Sequence, residues 1–325
     1  MQLKEIELGI TGICNLRCLH CSAAMYNCPG NRNDLSLSEI RSLITQAKAL
    51  GARKIDLTGG EPTLRPDLCH IIGMAKEAGL KTKLLSNGTL LNEKKIRELK
   101  ASGLDGLAIS LDGSSNAIQA KTRRTTETEF QNAITVIEIA ARLGIAVKVN
   151  TAVSAMNLAD LPNISRLAAG LGCYEHRICL FLPVGRGQDW SANVIEPHAW
   201  VQFIKEGFGC PNQGLKTYVA ATALPEILTS RYRLGCLLNN PLMLGIAPGG
   251  DVFPCAIFAF NNLPIGNIRK TSLAEMWSNK KIWQEAKQLA KQMCQTGKHK
   301  DELICICPCR KIDLSIFGNI NKACI

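Results

Sequence analysis

Three cysteines lie close together near the start of the chain, in the stretch GICNLRCLHC at 12–21. Cys14, Cys18 and Cys21 have the spacing C-x3-C-x2-C, which supplies three thiolate ligands to a metal site. A closed tetrahedral zinc site needs four ligands, and Cys28 is the nearest candidate for the fourth. Alternatively, the three thiolates bind three irons of a 4Fe–4S cluster, and the fourth iron stays open to chelate a substrate or cofactor. The cysteine spacing alone does not decide between the zinc site and the 4Fe–4S cluster.

Other residues suited to chemistry occur in short motifs farther along the chain. They are TGGEPT at 58–63, SNGT at 86–89, SLDG at 110–113 and PVGRG at 183–187, together with Asn150. Each motif ends or follows a short apolar, β-branched run, and helical stretches lie between these runs. In a parallel sheet the functional groups gather at the carboxyl ends of the strands. The sequence therefore predicts that these motifs and the cysteine loop share one rim.

The elements that must position these motifs can be read from the sequence. Six runs are strand candidates: EIELGIT, KIDLTGG, KTKLLSNG, GLAISLDG, AVKVNTAV and RICLFLPVG. Ser36-x-x-Glu39 and Thr126-x-x-Glu129 are typical of capping boxes, and Asn92 is a candidate N-cap. A glycine follows each helical stretch, where a left-handed residue ends a helix, namely Gly51, Gly79, Gly103, Gly144 and Gly170.

Six strand–helix units in a row predict a parallel sheet with right-handed crossovers. Six units are too few for a closed eight-stranded barrel. The expected fold class is therefore α/β, either a partial (β/α)6 TIM-like barrel or an open doubly wound sheet. We expect this domain to span residues 1–207, followed by a bridging segment at 208–234.

The last part of the chain, residues 235–325, predicts a small cysteine-rich domain. The stretch PGGDVFPC at 248–255 indicates a tight hairpin turn, and Ser272-x-x-Glu275 indicates the start of a helix. Seven cysteines are spread over this region and are candidate metal ligands, namely Cys236, Cys255, Cys294, Cys305, Cys307, Cys309 and Cys324.

Composition narrows the class of protein. The chain has 325 residues, 15 cysteines and a formal net charge of +11. We find no apolar run long enough to span a membrane and no signal peptide, so we expect a cytoplasmic protein, in which cysteines serve as metal ligands or catalysts. The charge favours an anionic partner. However, aromatic residues make up only 5% of the chain and no basic block is interleaved with them, so we expect no nucleic-acid partner.

Two motifs together resemble the radical S-adenosylmethionine (SAM) enzymes. The C-x3-C-x-aromatic-C signature of that family is met by Cys14, Cys18 and Cys21, with His20 in the aromatic slot that packs near adenine. Its G-G-E-P motif, whose backbone receives the methionine amino group, is met by Gly59, Gly60, Glu61 and Pro62. The resemblance covers residues 4 to about 207. It implies a 4Fe–4S cluster, SAM and an external electron donor such as flavodoxin or ferredoxin.

In such an enzyme the cluster cleaves SAM, and a 5′-deoxyadenosyl radical then abstracts a hydrogen atom from substrate. The resemblance implies that polar residues at the rim contact the ribose or carboxylate of SAM. By position these are Ser86, Asn87, Ser110, Asp112 and Asn150.

The cysteine-rich tail resembles the auxiliary-cluster domain called SPASM, or its shortened twitch form. Cys236, Gly250 and Cys255 meet its first motif, and Cys305 and Cys309 meet a later C-x3-C. The expected C-x2-C upstream is absent, because Thr296 and His299 occupy those positions. We assign one cluster to Cys236, Cys255 and Cys309. A second would use Cys294, Cys305 and Cys324, completed by Cys307 or His299. A zinc ribbon is the alternative.

The substrate is expected beside the fifth and sixth strands, where Lys148, Arg177 and Arg186 offer positive charge. Cys179 lies on the sixth strand two residues from Arg177, and its thiol is a candidate hydrogen-atom donor. The leading hypothesis is crosslinking or epimerisation of a ribosomally made peptide. The alternative is cofactor or small-molecule biosynthesis, since FLPVGRG is similar to members acting on tetrapyrrole side chains. A non-catalytic iron–sulfur or zinc protein would leave the Gly-Gly-Glu-Pro loop unexplained.

Overall fold

The computed structural model describes residues 2–22, 33–205, 214–220, 238, 241–295 and 311–313. Its strands are β1 Glu5–Thr11, β2 Lys54–Gly59, β3 Lys81–Ser86, β4 Gly106–Ser110, β5 Ala146–Val153, β6 Glu175–Leu180, β7 Lys216–Ala220, β8 Met243–Ile246, β9 Asp251–Phe253, β10 Gly266–Asn267 and β11 Lys311–Asp313. Its helices are α1 Leu37–Ala49, α2 Leu68–Glu77, α3 Glu93–Ala101, α4 Asn116–Arg123, α5 Glu127–Arg142, α6 Leu161–Gly170, α7 Pro197–Lys205, α8 Ala256–Phe260, α9 Leu273–Ser278 and α10 Lys280–Gln295. None of the described helices combines the length and apolar character needed to cross a bilayer.

One sheet contains all of these strands, in the order β10-β9-β8-β1-β2-β3-β4-β5-β6-β7-β11. The six predicted strands, β1 to β6, run parallel in chain order, which confirms the α/β class with a parallel sheet. Two further parallel strands flank them, because β8 pairs with β1 and β7 pairs with β6. The fold is thus a partial barrel extended on both sides.

The core lies between the outward faces of the strands and the helices. Alternate residues of β1, such as Ile6, Leu8 and Ile10, are completely buried against it. The inward faces are polar instead, so the barrel interior has room for a site.

The predicted helix signals are largely confirmed. Ser36 and Thr126 form complete capping boxes, and the Asn92 side chain accepts a hydrogen bond from the backbone of Lys95. Four of the five predicted terminal glycines have positive φ. The exception is Gly170, which is the last residue of α6, and Gly172 takes the left-handed conformation instead with φ 81°.

The hairpin predicted after residue 247 is confirmed, with β8 and β9 antiparallel and Gly250 at φ 93° in the turn. It joins the barrel domain through the pairing of β8 with β1, and Arg269, which follows β10, lies 2.6 Å from a Glu39 carboxylate oxygen at the start of α1. This arrangement brings the hairpin next to the carboxyl end of β1.

Candidate active site

The cysteine loop leaves the carboxyl end of β1 at Thr11. Burial, helped by neighbouring thiols, raises the pKa of the Cys14 thiol and raises that of Cys18 to about 11. The three thiols therefore lie within electrostatic range of one another, and those of Cys14 and Cys18 are protonated at neutral pH, so metal binding must displace these protons. Cys28 lies outside the described residues. Over the described stretches, no three His, Cys, Asp or Glu side chains converge on a site for a single metal ion.

The Gly-Gly-Glu-Pro loop after β2 is joined to the cysteine loop by backbone hydrogen bonds. The N–H of Gly60 donates to the carbonyl of Thr11 at 2.7 Å, and the N–H of Glu61 donates to the carbonyl of Ile13 at 2.7 Å. Gly59 has φ 131°, which disfavours any side chain. A Cβ at Gly60 would collide with the Ile13 carbonyl. Both glycines are therefore needed for the two loops to approach this closely.

The buried carboxylate of Glu61 holds the loop from the other side. It accepts hydrogen bonds from Ser86 Oγ at 2.8 Å, Asn87 N at 2.8 Å and Thr63 Oγ1 at 2.6 Å. Burial raises the pKa of Glu61, whereas these donors oppose the shift by stabilising the carboxylate. The Ser86 hydroxyl, predicted to contact SAM, is thus used to hold Glu61.

Asn87, also predicted to contact SAM, connects the SNGT turn to the cysteine loop. Its Nδ2 donates to Asn15 Oδ1 at 2.9 Å, and Asn15 Nδ2 donates to Thr89 Oγ1 at 2.8 Å. The side chains of Ser86 and Asn87 therefore position the loop that carries the three thiols.

Asp112 lies at the centre of a buried network and is completely inaccessible to solvent. Its Oδ2 lies 2.7 Å from Arg123 Nε and 3.1 Å from His20 Nε2, and its Oδ1 accepts a hydrogen bond from Ala152 N at 2.8 Å. Thr122 Oγ1 adds a longer hydrogen bond at 3.3 Å. The carboxylate of Asp112 therefore holds His20 and Arg123. The contact of Asp112 with SAM stays a prediction.

Arg123 is a site residue that sequence reasoning missed. It ends α4, and its Nη1 lies 4.0 Å from Cys18 Sγ, with the rest of the guanidinium on Asp112. No local pattern distinguishes Arg123 from Arg124, the next residue, and only the fold brings it to the cysteine loop. A buried cation beside a thiolate ligand stabilises the deprotonated sulfur.

His20 is neutral, because burial lowers its pKa to about 4 despite the carboxylate of Asp112. Its Nε2 lies 3.1 Å from Asp112 Oδ2. Its Nδ1 is buried and has no hydrogen-bond partner among the described residues. The aromatic slot thus contains a polar ring atom that a bound group can satisfy.

Ser110 and Asn150 are brought side by side, since they are register partners on β4 and β5. Both are half-buried, and Asn150 Oδ1 has no hydrogen-bond partner in the described part of the chain. A buried amide oxygen without a partner is costly. These two residues therefore fit a polar ligand at the rim, and their contact with SAM stays a prediction.

Arg186 is tied to the cysteine loop. Its Nη1 donates to the Cys18 carbonyl at 2.8 Å, and its backbone N–H donates to the Cys21 carbonyl at 3.2 Å. These contacts fasten the segment after β6 to the cysteine loop, and the assignment of Arg186 to substrate stays a prediction.

The other residues expected near substrate lie in the barrel interior. Lys148 is 1% exposed and lies 3.9 Å from Glu175, and its assignment to substrate stays a prediction. Arg177 is the register partner of Asn150, and Cys179 is the partner of Ala152 one layer nearer the rim. Cys179 is half-buried, and its role as a hydrogen-atom donor stays a prediction.

A cavity of about 230 Å³, here called the hairpin cavity, lies between β1, β2 and the β8–β9 hairpin. It is lined by Glu7 and Gly9 of β1, Ser22 of the cysteine loop, Gly59 of β2 and Cys255 after β9, among others. The cavity therefore reaches from the Gly-Gly-Glu-Pro loop to a cysteine of the tail. Gly245 faces Glu7 across the β1–β8 pair and leaves this space open.

Comparisons with known proteins agree with this geometry. A model of the radical SAM superfamily matches residues 8–168. The chain belongs to the radical SAM superfamily. A model of an iron–sulfur cluster-binding domain, SPASM, matches residues 236–310. The domain boundaries at 207 and 234 stay predictions.

Relatives of this radical SAM enzyme carry different names. An AdoMet-dependent heme synthase of Methanosarcina barkeri is 27% identical over 305 residues, which cover 87% of this chain and 84% of the relative. A PqqA peptide cyclase of Ruegeria pomeroyi is 28% identical over 270 residues, which cover 82% of this chain and 72% of the relative. The crystal structure of Streptococcus suis SuiB bound to precursor peptide SuiA superimposes with a TM-score of 0.72 at 17% identity, covering 88% of this chain and 66% of that one. The similarity to SuiB, at this low identity, shows the fold alone.

Radical SAM and SPASM domains bind 4Fe–4S clusters, and SuiB has also been solved with S-adenosylmethionine. The residues of this chain fit both groups. Three clustered thiols with Arg123 beside them suit an iron–sulfur cluster, and the buried polar atoms of His20 and Asn150 that lack partners in the described part of the chain suit a polar cofactor. Of the auxiliary ligands, Cys255 is described and lies in the hairpin cavity. Cys294 lies near the end of α10, whereas Cys236, Cys305, Cys307, Cys309 and Cys324 lie outside the described residues.

Proposed function

We propose that this radical SAM enzyme modifies a ribosomally made peptide, by crosslinking or epimerisation, through a side chain held in the hairpin cavity. When bound, the reduced cluster and SAM supply a 5′-deoxyadenosyl radical that abstracts hydrogen from carbon. The chain itself must then hold one substrate carbon close to the Gly-Gly-Glu-Pro loop and keep water away from it.

The size of the hairpin cavity is the observation that carries this proposal. Its volume of about 230 Å³ lies below the ~300–1,000 Å³ that is typical of sites enclosing a whole small molecule. One amino-acid side chain fits such a space, and the rest of a larger substrate stays outside. A peptide meets this requirement.

The position of the cavity supports the same function. Both Gly59 of the Gly-Gly-Glu-Pro loop and Cys255 of the tail line it. An inserted side chain would therefore lie near both the SAM-binding loop and a cysteine of the tail, so a substrate radical could lose its electron to an auxiliary cluster held there as the product forms. The PqqA peptide cyclase among the relatives is consistent with a peptide substrate.

Modification of a tetrapyrrole side chain is the second candidate. The 27% identity to an AdoMet-dependent heme synthase over 87% of this chain favours it. The cations that would bind the carboxylates of a tetrapyrrole are less available than the sequence predicted. Lys148 is buried beside Glu175, and Arg186 binds the Cys18 carbonyl.

Deuterium transfer separates these two functions. The organism that encodes the chain is grown in deuterated medium, and its extract is incubated anaerobically with reconstituted enzyme, SAM and dithionite. We expect deuterium in 5′-deoxyadenosine, and we expect prior protease digestion of the extract to abolish the transfer. Transfer that survives protease would contradict the peptide proposal, and transfer from a purified deuterated tetrapyrrole would support the second candidate.

A further inference from the structure

The wall of the hairpin cavity is largely apolar but contains one carboxyl group. Apolar lining residues are Met243, Ile246, Ala247, Pro248, Phe253, Ala256, Ala259 and Phe260. Glu7 is the one acidic or basic side chain among the described residues that line it. The cavity thus suits a ligand group with an aliphatic body and one polar tip.

Glu7 differs from the other carboxylates on the inward face of the barrel. Glu5 lies 3.7 Å from Lys54, Asp56 lies 3.3 Å from Lys83, and Glu175 lies 3.9 Å from Lys148. Across the described residues, the Glu7 carboxyl makes no hydrogen bond and no ion pair within 4 Å.

An unpaired carboxyl in this position carries an energetic cost. Burial raises the pKa of Glu7, and the nearby Asp56 and Glu5 raise it further, whereas Arg177 and Lys148 lower it. A buried carboxylate is tolerated when a cation or several donors pair with it. Among the described residues, Arg177 and Lys148 act on Glu7 only from beyond ion-pair distance, so the cavity leaves the position beside the carboxyl open to a ligand.

We propose that Glu7 binds a cationic nitrogen at the tip of an aliphatic substrate side chain inserted into the hairpin cavity. This inference rests on the proposed function, and it specifies the side-chain class as an alkylammonium. The apolar wall contacts the methylene groups, and the carboxylate of Glu7 pairs with the ammonium. The carbons along the chain are then presented toward Gly59 and the SAM-binding loop.

The shape around Glu7 is consistent with this role. Gly245 is its register partner on β8, and Asp56 is its partner on β2. A Cβ at Gly245 would have its nearest neighbour at 3.9 Å, so the glycine leaves free space directly opposite the carboxyl. Glu7 therefore faces an opening that a slender chain can enter.

Direct binding of small probes to the reconstituted enzyme with SAM tests the inference without knowledge of the substrate. The probes are n-pentylamine, 1-pentanol and n-pentanoate, and binding is measured anaerobically by calorimetry. We expect the amine to bind at least about tenfold more tightly than the alcohol, and pentanoate to bind least. Glu7→Gln should remove the preference for the amine, and the matched control Glu5→Gln should keep it.

Equal binding of amine and pentanoate, or unchanged amine binding by Glu7→Gln, would overturn the role of Glu7. Iron content and circular dichroism show whether that variant is folded. If it is not, Gly245→Val fills the cavity without changing any charge and should weaken amine binding, and unchanged binding there would also overturn the inference. Deuterium transfer that resists protease would overturn the peptide function but leave the amine result intact, so the two failures are distinguishable.

Discussion

Replacement of Asp112 by asparagine should destabilise the protein strongly, because it removes the charge that neutralises Arg123. Asp112 is completely buried and Arg123 nearly so, and their side chains are 2.7 Å apart. Removing one partner of a buried ion pair costs about 3–5 kcal/mol. An amide cannot replace the carboxylate, since Oδ1 accepts from Ala152 and Oδ2 faces the Arg123 guanidinium and His20. Either orientation would direct the new NH2 group at a donor.

Urea unfolding of the cluster-free protein measures this cost. We expect Asp112→Asn to lose about 3 kcal/mol or more of unfolding free energy. The matched control is Glu93→Gln, which removes an exposed i,i+4 partner of Arg97 and should cost less than about 1 kcal/mol.

A double variant tests whether the unpaired charge of Arg123 causes the loss of stability. Asp112→Leu with Arg123→Met removes both charges, and it should recover part of the loss because apolar replacements of buried ion pairs are often nearly neutral. A cost of about 1 kcal/mol or less for Asp112→Asn would refute the reasoning, because surface pairs reach that value. A double variant no more stable than the single variant would also refute it.

Three further substitutions test other parts of the site. Gly60→Ala should lower 5′-deoxyadenosine formation at least about tenfold through its collision with Ile13, whereas Gly73→Ala, which has nothing within 4 Å, should leave formation unchanged. Arg186→Ala should reduce SAM cleavage and product formation together, because it releases the Cys18 carbonyl, and retained cleavage with lost product would support its assignment to substrate. Burial lowers the pKa of the His176 imidazole to about 3, so on acidification this imidazole is protonated in the unfolded chain before it is protonated in the folded protein. The free energy of unfolding should therefore fall by roughly 1.5 kcal/mol as the pH is lowered from 6.5 to 5. His176→Gln should flatten this dependence in urea titrations, and a profile no flatter than that of the exposed control His70→Gln would contradict it.

The sequence predicted the six strands of the barrel and the hairpin because local patterns encode them. Apolar alternation and capping boxes act over a few residues, and the structure has each of those elements close to its expected position. Strand β7 and the pairing of β8 with the barrel were not predicted. Both strands are short, and their parallel pairing with β6 and β1 depends on contacts far apart in the chain.

Site residues that belong to a local sequence motif could be predicted, whereas residues that the fold brings together from distant parts of the chain could not. The cysteine spacing and the two glycines at 59 and 60 could be identified directly. Arg123 and Glu7 could not, because their importance comes from a neighbour, Cys18 or Gly245, that only the three-dimensional structure supplies. Arg186 was assigned to substrate from its place after β6, yet its side chain turns back to the cysteine loop.

Reductive cleavage of SAM tests the central claim most directly. Anaerobically reconstituted protein with dithionite should form 5′-deoxyadenosine, and the triple variant Cys14→Ala, Cys18→Ala, Cys21→Ala should form none. The triple variant should still contain iron and sulfide, because Cys255 and the other tail cysteines remain. Undiminished formation of 5′-deoxyadenosine by the triple variant would contradict the assignment of the cysteine loop as the radical-generating site.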